Sequence, residues 1–227
     1  MGLKLRYNLF YSTSAAAVYD SFASFYGRCG HRLQVVDGND SRYWDERLDF
    51  HQEHHGWVVV GLDGGWEWKL RRDAQFFVSQ SLRCPGFLIF VYDGDYWGYE
   101  FFDGGEVIDH FVQEPAGKPI GFPGEDCRGN PGLITEHLPF LQLDDIAPYL
   151  VQKPAWPIPE DMNVPARPGD NFCRFDECAV LDFLGMLGVP TEISFRIVLL
   201  KAPLFKSAIL EPPPPKTPAT LPAAFNQ

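Results

Sequence analysis

The tightest group of potential metal ligands in this sequence is His51-x-x-His54-His55, with Asp49 and Glu53 beside it. Imidazoles three or four residues apart can share one helical face, and a carboxylate can add a third ligand. His51, His54 and His55 therefore support one of two functional readings, a metal-dependent hydrolase. Against it, the HExxH order is missing and no later Cys/His pair stands at finger spacing, so a solvated His-rich loop competes. Five cysteines (Cys29, Cys84, Cys127, Cys173, Cys178) are scattered without a CxxC pair, which fits free thiols in a reducing compartment. Cys173 and Cys178 straddle the start of the last expected helix, where a thiol pKa can fall, so Cys173 is a candidate reactive thiol. Ser79 and Ser81 lie within an expected helix, without the strand-to-helix elbow of hydrolases. Asp109 and His110 are adjacent on an expected strand and point to opposite faces. Gly117 to Gly124 lacks the Lys-Ser/Thr ending of a phosphate-binding loop. No catalytic residue and no cofactor are assigned.

The other reading is a binding protein. In Asp93-Gly94-Asp95-Tyr96-Trp97-Gly98-Tyr99-Glu100 a carboxylate turn runs into an aromatic strand. Carboxylates take Arg and Lys, and Trp and Tyr supply anchoring area. Asp93, Asp95, Tyr96, Trp97, Tyr99 and Glu100 are thus the expected partner-binding residues. Thirty acidic against nineteen basic residues give a formal charge of −11. That field repels phosphate backbones and anionic lipid, which argues against nucleic-acid and membrane partners and for a basic protein partner. The opening MGLKLRYNLFYSTS has charges within its apolar stretch and reads as a strand rather than a signal peptide. No run of eighteen apolar residues suggests a span, and a cytoplasmic location is expected.

These groups must be held by a fold that the patterning outlines. Hydrophobic residues are 45% of the chain and aromatics 15%, which is ample for a core and excludes wholesale disorder. Leu3 to Tyr11 alternates as a strand, a helix follows Thr13 or Ser14 and ends at Gly27, and His31 to Val36 forms a second strand. Trp57 to Leu62 and Trp66 to Leu70 read as a hairpin about Asp63-Gly64-Gly65. Ala74 to Leu82 carries one apolar helical face. Phe87 to Tyr92, Tyr96 to Phe102 and Glu106 to Phe111 then form a three-stranded meander with Asp-Gly turns.

Short helices are expected within 133–151, a Pro-rich linker or surface-wrapping segment over 153–169, and a helix followed by the strand Glu192 to Leu200. The prediction is α+β: a mainly antiparallel sheet, hairpin plus meander, with helices packed on one face. One compact domain spans 1–202, with 170–202 a sub-unit too small to fold alone. Residues 203–227 are expected to be a disordered Pro-rich tail, in which Pro212-x-x-Pro215 and Pro215-x-x-Pro218 can adopt polyproline geometry.

The stretch from Gly56 to Phe111, with Trp66-Glu67-Trp68, Tyr92 through Glu100, and Gly105-x-x-x-Asp109-x-Phe111, resembles small uncharacterised bacterial α+β proteins. Some of those are encoded near polymorphic toxins and are regarded as immunity-like. The resemblance implies a cytosolic, non-catalytic protein that binds and neutralises a cognate basic toxin, and it carries over no catalytic residue.

Overall fold

Strand β1 (Leu5–Tyr11) is buried on both faces, and a strand of that kind belongs in the middle of a covered sheet. In the computed structural model it lies there. The structure describes residues 5–37, 47–62, 68–92, 95–114, 127–155, 157–189, 191–194, 197–200 and 204–211. Its helices are α1 (Ala15–Arg28), α2 (Trp68–Leu82), α3 (Pro131–His137), α4 (Leu143–Ile146) and α5 (Ala179–Met186). With β2 (Arg32–Val36), β3 (Arg47–His51), β4 (Trp57–Leu62), β5 (Gly86–Tyr92), β6 (Tyr96–Asp103), β7 (Glu106–Val112) and β10 (Leu204–Glu211), β1 builds one eight-stranded sheet. The strand order is β2-β10-β3-β4-β1-β5-β6-β7, antiparallel throughout. β8 (Thr191–Ser194) and β9 (Ile197–Leu200) pair separately.

The α+β class, the antiparallel sheet and the β5-β6-β7 meander agree with the sequence reading. Three details differ. Helices cover both faces of the sheet rather than one. On the back face, α1 and α2 bury Val18, Phe22, Tyr26, Ala74 and Val78 against Phe10, Val58, Val60 and Leu88. On the front face, α3, α4 and α5 bury Ile134, Ile146, Val180 and Phe183 against Leu9, Phe87, Trp97 and Tyr99. Secondly, residues 68–70, expected within a strand returning through Trp66 to Leu70, are helical. Helix α2 already starts at Trp68, supported by the Lys69–Asp73 pair one turn apart, and β4 pairs with β1 and β3 instead. Residues 63–67 lie outside the described residues.

Thirdly, the sheet does not end at residue 202. Within the expected tail, Leu204–Glu211 inserts between β2 and β3, so the body reaches Glu211, while 212–227 lie outside the described residues. The Pro-rich segment 153–169, expected as a linker or a surface-wrapping segment, is tied to the rest of the fold by backbone bonds. Lys153 N donates to Gln113 O at 2.7 Å, and Arg174 N donates to Val164 O at 2.8 Å.

Candidate functional site

The expected partner-binding strand is interior. β6 has β5 on one side and β7 on the other, and both of its faces are covered, so side chains of either parity are buried. Trp97 packs on Phe111 and Phe183, and Tyr99 stacks on Phe183. The Tyr99 hydroxyl donates to Asp109 Oδ2 at 2.7 Å, and the same oxygen accepts from Asn130 N at 2.9 Å, which ties the start of α3 to the sheet. Glu100 is 1% exposed and takes both its bonds from Arg72 Nε, at 2.7 and 2.9 Å. Tyr96 is buried and stacks on Tyr92. Burial pushes its hydroxyl pKa up to about 12. Asp95 alone of the described members is exposed, and Asp93 lies outside the described residues. As an exposed patch the segment is therefore corrected: its aromatics build the core, and Glu100 anchors α2.

Among the described residues, the histidines do not join a group of three converging ligand atoms. His51 ends β3, whereas His54 and His55 occupy the tight connection to β4, with His55 at φ 49° and the two rings edge to face at 4.2 Å. A turn rather than a helix carries His54 and His55, so they do not share a helical face with His51. Among the described residues, three potential ligand atoms converge at Asp176, Glu177 and Cys178 instead. Burial, then Asp176, pushes the Cys178 thiol up to about 12, which opposes the thiolate a metal requires. Helix α5 begins beyond it at Ala179, so Cys173 stands six residues before the helix N-terminus.

The site the structure does assemble is on the front layer. A cavity of about 520 Å³ opens between α5 and the chain around 167–172. Its polar wall holds Tyr149, Arg167, Asp170 and Asp182, and its apolar wall Phe172, Leu181 and Met186. Asp182, on α5, accepts from Asn171 N, Asn171 Nδ2 and Phe172 N at 2.9 to 3.1 Å. Asp170 accepts from the Tyr149 hydroxyl at 2.9 Å on one oxygen and from Arg167 N at 2.8 Å on the other. Burial, then that bond, raises the Tyr149 pKa, so the hydroxyl stays a donor at neutral pH. Arg167 turns its guanidinium to Asp145 of α4 at 2.8 Å.

The segment that carries this cavity is acidic. Residues 131–189 hold Glu136, Asp144, Asp145, Glu160, Asp161, Asp170, Asp176, Glu177 and Asp182 against Lys153, Arg167 and Arg174. Beside them, Phe140 and Leu143 are 44% and 51% exposed, and Phe140 stacks on Tyr11. None of these residues was singled out from sequence. A segment-by-segment count of charge would have marked 131–189, whereas the cavity depends on how α5 docks. No protein-family model matches the chain, and no curated protein or solved structure matches it either.

Proposed function

We propose that this chain is a non-catalytic binding protein that holds a basic protein partner against its α3–α5 layer. The observation that supports this reading is the excess of carboxylates over cations in residues 131–189, a segment that also exposes Phe140 and Leu143. A fixed acidic surface steers and orients a basic partner, while apolar side chains at its centre supply desolvated contact area. The immunity-like resemblance gives the partner a class, a cytoplasmic toxin whose basic surface would be occluded. The binding surface proposed here replaces the β6 strand.

The test is affinity capture of the tagged chain from its native cells, at low and at moderate salt. It compares the wild type with a triple variant Glu136→Lys, Asp144→Lys, Asp161→Lys. All three positions are exposed, so each swap should change stability by no more than about 0.5 kcal/mol. A stoichiometric basic protein held by the wild type and lost from the variant is the expected result, with Asp95→Lys leaving capture intact. Equal capture by wild type and triple variant, or no basic partner at all, would overturn the reading.

A further inference from the structure

We propose that the front cavity is a binding site for an alkyl guanidinium or alkylammonium cation. Charge is the first reason. Two carboxylates face the cavity, and the only cation in its wall among the described residues, Arg167, is matched by Asp145 from α4, so the interior field stays negative. Acceptor capacity is the second. A carboxylate offers about four lone-pair sites. Asp182 has its own taken up by Asn171 and Phe172, whereas Asp170 takes a single donor on each oxygen and keeps an open site on both. A planar guanidinium or an ammonium group suits that remaining geometry.

The apolar wall is the third reason. Phe172, Leu181 and Met186 give an alkyl stem something to lie on, and Met adapts to stems of different shape. The site is also organised in advance, because Asp170 and Asp182 tie down the backbone of 167–172 through its amides. A cavity of about 520 Å³ falls within the usual range for small-ligand sites, roughly 300–1,000 Å³. Gly185 leaves the entrance clear: it lines the cavity from α5, and a Cβ built there meets nothing within 4 Å.

An anion would meet two carboxylates, and a neutral donor would fill the open sites on Asp170 without the charge attraction that a cation adds. A cation remains, either free or carried as an Arg or Lys side chain. For a protein-borne cation the inference rests on the partner reading above; for a free one it does not.

Calorimetric titration of the full chain tests it, with butylguanidinium, its neutral isostere butylurea, and N-acetylarginine methylamide as probes. Butylguanidinium should saturate one site per chain, and butylurea should give no saturable heat. Asp170→Asn should weaken the cation about tenfold, the ratio one charge-assisted hydrogen bond supplies. Gly185→Trp should abolish binding by covering the cavity, with an unchanged unfolding midpoint showing that the fold persists. Tighter binding of the arginine derivative than of butylguanidinium assigns the site to a protein side chain, and the reverse assigns it to a free cation. Equal binding of butylurea, unchanged affinity in Gly185→Trp, or no saturable binding of either cation would overturn the proposal. Loss of partner capture in the lysine triple variant alongside failed titrations would sink the cavity and leave the partner reading standing.

Discussion

The two helical layers that cover this sheet treat charge in opposite ways. On the back, α1 and α2 carry Asp20 and Asp73 against Arg28, Lys69, Arg71 and Arg72, and much of the polarity there is turned inward. Arg71 and Gln75 of α2 are buried, as are Asn8 and Glu100 on the strands below them. On the front, Asp109 apart, the contact with the sheet is aromatic and aliphatic, and the carboxylates of the helical layer stand outside it or along the cavity. Buried polar groups must be matched within the protein, so they fix how α2 sits. Exposed carboxylates are only partly matched and remain able to meet another molecule. The same acidic composition is thus structural on one face and available on the other.

Phe183 is where this comparison breaks most readily. Its ring stacks on Tyr99 and Trp97 and meets Phe87 and Tyr149 edge on, so a single side chain of α5 joins the acidic layer to the sheet. Phe183→Ala should lower stability by about 3–5 kcal/mol, the usual range for emptying a buried aromatic site. Urea unfolding measures the loss, and amide exchange should quicken in α5 while α1 and α2 keep their protection. A loss under about 1 kcal/mol would mean that the front layer is held by something other than this aromatic cluster.

On the back, the corresponding device is the pair of Arg72 with Glu100. Removing the cation by Arg72→Met leaves a buried carboxylate unmatched, which should lower stability at neutral pH by about 3 kcal/mol. The pH dependence has a definite sign. Burial raises the Glu100 pKa above its ordinary 4.5, and the bonds from Arg72 only partly offset this. The folded state therefore keeps its proton to higher pH than the unfolded chain does. Stability should fall as pH rises from about 4.5, and level off above the raised value. Asp109, raised by burial in the same direction from its ordinary 3.8, adds to that slope. Arg72→Met should steepen the fall and recover on acidification, while Glu100→Gln should flatten it. Thermal midpoints between pH 4 and 7 are the measurement, and a slope unchanged by Glu100→Gln would remove Glu100 as its source.

The meander was legible in the sequence because its signals are local: Gly104 and Gly105 adopt φ 57° and 86°, the left-handed region that their Asp-Gly-Gly turn calls for. β10 was not, because its strand character comes from partners more than a hundred and fifty residues away, such as Asp49, which accepts from the Ser207 hydroxyl. Read locally, Leu204 to Glu211 merges into the prolines after it. The start of α2 was misread because Trp66-Glu67-Trp68 alternates like a strand, and only the burial of Arg71, Ala74 and Val78 on one side shows the helical period. The misplaced site has a related cause. Tyr96 through Phe102 is an almost unbroken aromatic run, the mark of a strand covered on both faces, yet its acidic residues suggested exposure.

The smallest effect tests whether the back face is as purely structural as the contrast requires. Asn8 sits at the centre of β1, paired with Val60 and Leu88, and its amide is 0% exposed with neither polar atom bonded among the described residues. An amide buried without partners costs about 1–3 kcal/mol by mutational measures. Leucine has the same branching and number of heavy atoms and suits a strand better. Asn8→Leu should therefore raise stability, by about 1 kcal/mol after some loss to tighter packing. A gain in the unfolding midpoint would leave recognition to the front layer alone. A loss would show that the Asn8 amide is matched in solution by a group that enters from outside the chain, and the back face would then hold a ligand of its own.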